Sequence, residues 1–117
     1  MSENLKVLYN FIERVKNSVS PGLYIGKVSL LNFQLYLQGF TRAQWEMTGT
    51  HPKEFYDFIT YIGEYFNEGS NRGWASIILK NTTSEEEAFD TFYRLFEEFI
   101  NLNYKFSELD KSNPIVN

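Results

Sequence analysis

The segment SEEEAFDTFYRLFEEFI, residues 84–100, carries the strongest secondary-structure signal of the chain. Thr83 or Ser84 can cap a helix here, and Glu86 or Glu87 follows at the spacing of a capping box. The acidic side chains lie at the helix end where the helix dipole favours negative charge. Apolar residues then recur every three or four positions, as in an amphipathic helix. These residues are Ala88, Phe89, Phe92, Leu95, Phe96, Phe99 and Ile100. The segment predicts a long helix with one buried face.

Three earlier segments show helical signals of the same kind. Residues 3–18 place apolar side chains at spacings of three and four. Residues 30–47 follow Ser29, a good N-cap, and are apolar on more than one face, which predicts a central helix contacted from several sides. Pro52 suits the first turn of the next helix, whose apolar face extends to about Asn67. The chain before residue 84 is therefore also predicted to be helical.

The apolar run WASIIL, residues 74–79, is too short for its periodicity to separate helix from strand. We favour a short helix because the chain offers no second strand to pair with it, and we expect Trp74 to lie in the core. The predicted fold is all-α, a single domain of four to five helices in compact orthogonal or bundle-like packing over residues 1–103. Residues 104–117 lose the periodicity and are predicted to extend along the surface.

Glycines are expected to shape the contacts between helices. In the segment SPGLYIG, residues 20–26, proline disfavours a helix at the preceding residue and glycine permits a reversal of the chain. We expect Leu23 and Ile25 to fill the core between the first two helices, with Tyr24 pointing outward. Gly39, in the second helix, is expected to let a neighbouring helix approach closely.

The bulk composition excludes several classes of protein. The chain has no cysteine, so disulfide frameworks and thiolate zinc sites are ruled out. Its first residues do not resemble a signal peptide, and no apolar run approaches the roughly 18 residues that a transmembrane helix needs. We therefore expect a cytoplasmic protein with no membrane partner. A formal net charge of −4 argues against direct binding of nucleic acid.

Acidic residues are concentrated near the C-terminus. Residues 85–110 hold eight of the 15 acidic residues and two of the 11 basic residues. Such a face can steer a basic partner towards the protein. We take Glu86, Asp90, Glu97 and Glu98 as candidates for this role. Consecutive glutamates on a helix point in different directions, so no metal site is expected there.

Aromatic residues make up 18% of the chain, which leaves two interpretations open. Either the core is unusually aromatic, or some rings are exposed for a partner. Trp45 lies near the end of the second helix among polar residues, with Tyr36 on a neighbouring turn. We take Trp45 and Tyr36 as candidate anchors of a protein interface.

The chain shows no catalytic motif. His51, the one histidine, precedes a proline at a helix start, where a capping or loop role is expected. Cysteine is absent, and no serine lies in a nucleophile elbow, so nucleophilic hydrolysis has no visible basis. We expect no catalytic residue, no metal and no cofactor, and therefore a protein that is not an enzyme.

The order of four segments resembles small bacterial immunity proteins of polymorphic toxin and contact-dependent growth inhibition systems. The segments are GLYIGKVSLLNFQLYLQGF, KEFYDFITYIGEYF, GWASIIL and SEEEAFDTFYRLFEEF. The resemblance covers roughly residues 20–100 and rests on the Gly-Leu-Tyr-Ile-Gly turn, Gly39, the Gly73-Trp74 pair and the last aromatic helix. Leu23 departs from the usual methionine, a change that conserves volume. The resemblance implies a protein that binds a cognate toxin domain without chemistry.

Such a toxin could be a basic, nuclease-like domain, because an enzyme that attacks nucleic acid presents basic groups to phosphate. An inhibitor can compete by offering carboxylates to the same groups. Two other functions stay open. A structural or regulatory adaptor would form a homodimer through exposed rings, and a small-molecule binder or enzyme would need a concave pocket with converging polar groups.

Overall fold

The computed structural model describes residues 2–18, 29–69 and 73–104. Within these ranges the chain forms five helices and no strand. The helices are α1 (Glu3–Lys16), α2 (Leu30–Thr48), α3 (Lys53–Tyr65), α4 (Trp74–Lys80) and α5 (Glu85–Asn103). The predicted all-α, single-domain fold of four to five helices is confirmed, and residues 74–79 are helical. None of the helices described is both long and apolar enough to cross a membrane.

Two predictions concern parts of the chain outside the described residues. The segment SPGLYIG, with the expected core positions of Leu23 and Ile25, lies between α1 and α2 in residues 19–28. Of the predicted surface extension, residues 104–117, only Tyr104 is described.

Serine side chains cap three of the helices. The hydroxyl oxygens of Ser2, Ser29 and Ser84 each accept a hydrogen bond from the backbone N–H three residues later, at 3.1 to 3.3 Å. Ser84 is thus the cap of α5, and the Glu87 carboxylate accepts the Thr83 N–H at 2.7 Å. Such caps satisfy N–H groups that have no partner within the helix. The capping signals read from the sequence therefore correspond to real helix starts.

Phe92 of α5 lies at the centre of the core and is fully buried. Its ring contacts one aromatic side chain from each of three other helices. These are Phe33 of α2 at 5.3 Å, Phe58 of α3 at 5.7 Å and Trp74 of α4 at 4.9 Å between ring centroids. α1 packs against the same cluster, with Tyr9 5.9 Å from Phe96. Aromatic contacts of this kind stabilise beyond the area that they bury.

Most of the aromatic side chains described lie in the core or pack against it. Of the ten phenylalanines among the described residues, eight are buried, and Trp74 is 2% exposed, as expected from the sequence. Of the two interpretations of the aromatic content, the aromatic core therefore accounts for most rings. Tyr36, Tyr56 and Tyr65 remain exposed.

At the N-termini of α4 and α2, side chains of other helices accept hydrogen bonds from backbone N–H groups. Gln34 of α2 accepts the Ala75 N–H at 2.8 Å, and Glu85 of α5 accepts the Leu30 N–H at 2.8 Å. A Cβ on Gly73 would lie 2.9 Å from Gln34 Oε1, so a larger residue there would require the Gln34 side chain to shift away from the Ala75 N–H. The Gly-Trp pair is thus a packing feature of the start of α4.

Glu54 of α3 joins the two ends of the described chain. Its carboxylate accepts hydrogen bonds from the backbone N–H of Ser2 at 3.2 Å, from the Ser2 hydroxyl, and from the Tyr104 hydroxyl at 3.2 Å. α3 is therefore fastened to the start of α1 and to the end of α5 through one side chain.

As predicted, α2 is contacted by several helices, namely α1, α4 and α5, but its outer face is exposed. Leu31 is 46% exposed and Leu35 is 63% exposed, so α2 is not covered on all sides. Apart from the neighbouring backbone of α2 itself, no heavy atom of the described residues lies within 4 Å of a Cβ placed on Gly39. Among the described residues, therefore, no helix makes the close approach that was expected at Gly39. A run that is apolar on several faces does not indicate which face the rest of the chain covers.

Replacing Gly39 by alanine is expected to raise the free energy of unfolding by about 0.5–1 kcal/mol, because glycine inside a helix costs conformational entropy. Urea denaturation measures the change. The control is Gly49→Ala, which is expected to be destabilising because Gly49 has φ 72° at the end of α2. A less stable Gly39→Ala variant would mean that a contact does require glycine at this position.

Candidate functional site

Three of the four predicted acidic residues lie together on α5. Asp90, Glu97 and Glu98 line an open groove of about 330 Å³, which we call the α5 groove. Its other lining residues are Lys16, Tyr93, Arg94 and Asn101. Glu86 is exposed in the first turn of α5 and does not line the groove.

The α5 groove forms because its residues repeat at helical spacing. Tyr93 and Arg94 follow Asp90 by three and four positions, and Glu97 and Glu98 follow it by seven and eight. The five side chains therefore project from one side of the helix. The buried apolar residues of α5 lie on the opposite side of the helix. The packing of α1 against α5 brings the last residue of α1 to the edge of the groove.

Basic side chains balance part of the negative charge. Arg94 Nη1 lies 3.1 Å from Glu98 Oε2, and Lys16 Nζ lies 3.8 Å from Glu97 Oε2. The side chains of both pairs are half-exposed, and ion pairs of this kind contribute only about 0.2–1 kcal/mol each to the stability of a protein. The lining residues include three carboxylates and two cations. The negative field of the groove is consequently weaker than the acidic residues of α5 alone suggest.

Glu98 has a second role in holding α3 against α5. Its carboxylate accepts a hydrogen bond from the Tyr61 hydroxyl at 3.3 Å, while Arg94 donates to the Tyr65 hydroxyl at 3.3 Å. Burial raises the pKa of Tyr61, and the negative charge of Glu98 raises it further. A change at Glu98 would therefore alter both the charge of the groove and this contact between helices.

Tyr93 is the aromatic residue of the α5 groove. Burial raises the pKa of its hydroxyl to about 12, and the charges of Asp90 and Glu13 add to the effect. The hydroxyl is therefore protonated at neutral pH. The Lys16 ammonium lies 5.9 Å from the ring centroid, within range of a cation–π interaction.

The raised pKa of Tyr93 predicts a loss of stability at alkaline pH. Between the ordinary value of 10.0 and about 12, the folded state holds the proton more tightly than the unfolded state. The free energy of unfolding should therefore fall as the pH rises through this window. Urea denaturation at several pH values measures the slope.

Tyr93→Phe should make that slope shallower, while Tyr56→Phe, at an exposed tyrosine, serves as the matched control. If the free energy of unfolding of Tyr93→Phe fell with pH as steeply as that of the unchanged protein, Tyr93 would not be the source of the alkaline loss of stability.

Trp45 lies in a different groove, between α2 and α3. This groove has a volume of about 210 Å³ and is called the α2–α3 groove. Its lining residues are Gln38, Thr41, Arg42, Trp45, Pro52, Phe55, Tyr56 and Ile59. The His51 ring packs edge-on against Trp45 at 4.8 Å and Tyr56 at 5.1 Å. His51 thus has a packing role in the loop before α3.

Tyr36 does not share a surface with Trp45. Its ring is 40% exposed and stacks on Phe11 of α1 at 5.3 Å. Tyr36 and Trp45 are separated by two and a half turns at 3.6 residues per turn, so they project from opposite sides of α2. The expectation that they lie on neighbouring turns is wrong. The two predicted anchors belong to separate surfaces, and neither lines the α5 groove.

Four of the residues that line the α5 groove were not identified as site residues from the sequence, namely Lys16, Tyr93, Arg94 and Asn101. Tyr93 shares a face with Asp90 and Glu97, so helical spacing could have indicated it. Lys16 gave no such signal, because its position depends on how α1 packs against α5. The described residues include no group of three or more His, Asp or Glu side chains placed to hold a metal ion.

The α5 groove has the chemistry to bind cationic side chains through carboxylates and the face of a tyrosine ring. Comparisons with protein-family models, curated proteins and solved structures find no significant match.

Proposed function

We propose that this chain is a non-enzymatic binding protein that neutralises a cognate bacterial toxin in the cytoplasm, and that the α5 groove is its contact surface. The observation that carries the proposal is the convergence of Asp90, Glu97 and Glu98 around Tyr93 in one groove. Carboxylates supply attraction to a basic partner, and a partly buried ring supplies contact area.

The charge of the groove fits a toxin domain that binds nucleic acid. Such a domain presents arginine and lysine side chains to phosphate, and carboxylates can occupy the same side chains. Attraction between opposite charges also speeds the encounter of the two proteins. The inhibitor can therefore block the toxin by covering its basic surface, with no chemical step.

The resemblance to immunity proteins supports the toxin-neutralising part of the proposal. It rests in part on residues of the protein interior, namely Trp74 and the apolar stripe of α5. The surface of the groove supports the other part, namely the chemistry of the partner.

The proposal predicts a toxin-like open reading frame beside the gene of this chain, and expression of the two proteins together tests it. We expect cells that produce both proteins to grow, and cells that produce the toxin alone to die. The absence of both protection and binding would defeat the proposal.

The exposed apolar side chains of α2 favour a second candidate function, a structural or regulatory adaptor that acts as a homodimer. Leu31, Leu35 and Tyr36 are exposed on this helix and could meet their counterparts in a second copy. Light scattering at several protein concentrations separates the two functions, because a stable dimer would show twice the mass of the chain.

A further inference from the structure

The α5 groove already holds one cation of the protein itself. Lys16 ends α1, and its ammonium lies 5.9 Å from the centroid of the Tyr93 ring. The same ammonium lies 3.8 Å from Glu97 Oε2. The groove is therefore built so that a positive group can lie over the ring beside a carboxylate.

The hold on Lys16 is loose. Its distance to Glu97 is longer than a hydrogen bond, whereas Lys53–Asp57 and Lys80–Glu68 are ion pairs at 2.9 Å. The Lys16 and Glu97 side chains are both half-exposed, so water competes for the two charges. Displacement of this ammonium from the groove thus requires little free energy.

We propose that Lys16 is a built-in occupant of the α5 groove and that an arginine of the basic partner takes its place on binding, an inference that rests on the proposed function. In the complex, the partner's guanidinium stacks on Tyr93 and forms hydrogen bonds with Asp90 and Glu97. Lys16 swings out into solvent. Lys16 thereby offsets one negative charge of the groove until a cation that binds better replaces it.

Arginine fits this place better than lysine. A guanidinium is planar, stacks on an aromatic face and donates up to five hydrogen bonds, so it can serve two carboxylates at once. An ammonium is more strongly hydrated and binds as a point charge. The exchange is therefore expected to favour a partner that presents arginine.

A fluorescent oligoarginine peptide serves as the probe, and fluorescence anisotropy measures its affinity for the purified full chain. Lys16→Gln is expected to tighten binding by up to about fivefold, since an exposed ion pair no longer has to be broken. Lys80→Gln is the matched control, because it removes the same charge from an ion pair outside the groove. Asp90→Asn with Glu97→Gln is expected to weaken binding.

The outcomes separate the exchange from the groove itself. The exchange is supported if Lys16→Gln binds the peptide more tightly and Lys80→Gln does not, and if oligoarginine binds better than oligolysine. Equal changes in Lys16→Gln and Lys80→Gln, or no preference for oligoarginine, would overturn it and leave the groove as the binding surface. Unchanged binding in the Asp90→Asn, Glu97→Gln variant would overturn the exchange and the proposed surface together.

Discussion

Replacing Phe92 by alanine is expected to lower the free energy of unfolding by about 3–5 kcal/mol. The ring is fully buried and contacts aromatic side chains of α2, α3 and α4, so its removal leaves a cavity where these helices meet. A domain of this size typically has a stability of about 5–15 kcal/mol, so the loss is a large part of the total. Urea denaturation followed by circular dichroism measures it.

Two control variants show whether the loss of stability comes from the cavity that Phe92→Ala leaves. Phe92→Leu keeps most of the buried volume, so it is expected to lower the free energy of unfolding clearly less than Phe92→Ala does. Leu102→Ala removes a side chain that is 72% exposed, so a change within about 0.5 kcal/mol is expected. If Phe92→Ala cost less than about 1 kcal/mol, Phe92 would not be the centre of the core.

Reversal of two charges in the α5 groove is expected to weaken binding of the toxin domain that we propose as the partner by at least about 100-fold. Asp90→Lys with Glu97→Lys places two cations opposite the basic groups of the partner, and like charges across an interface cost several kcal/mol. Both side chains are on the outer face of α5, so the fold should persist. Glu98 is left unchanged because it also holds Tyr61.

Glu3→Lys with Glu64→Lys is the matched control for this change. Both side chains are exposed and outside the groove, and the net charge changes by the same amount. We expect only a small, salt-dependent loss of affinity from general repulsion. Equal losses in the two double variants would show that the total charge of the protein matters and the groove does not.

The sequence determined the helices and the buried stripe of α5 because these depend on local spacing. All seven apolar residues predicted for that stripe are buried, and Trp74 is buried as expected. Ser29 and Ser84 mark true helix starts for the same reason, since a cap acts on an N–H group three residues away.

The arrangement of the candidate site could be predicted only in part. Asp90 and Glu97 share a face of α5, so their proximity follows from helical spacing. The place of Lys16 over Tyr93 depends on the packing of α1 against α5, which no local pattern encodes. The exposed position of Gly39 escaped prediction for a related reason, because the sequence does not show which face of α2 the other helices cover.

Titration calorimetry of the purified chain with the toxin domain that the proposal predicts to be encoded beside its gene tests the central claim most directly. We predict a saturable complex that weakens as salt is added, and the loss of that complex when Asp90 and Glu97 are replaced by lysine. No binding at any salt concentration, or binding that the two lysines leave unchanged, would contradict the claim.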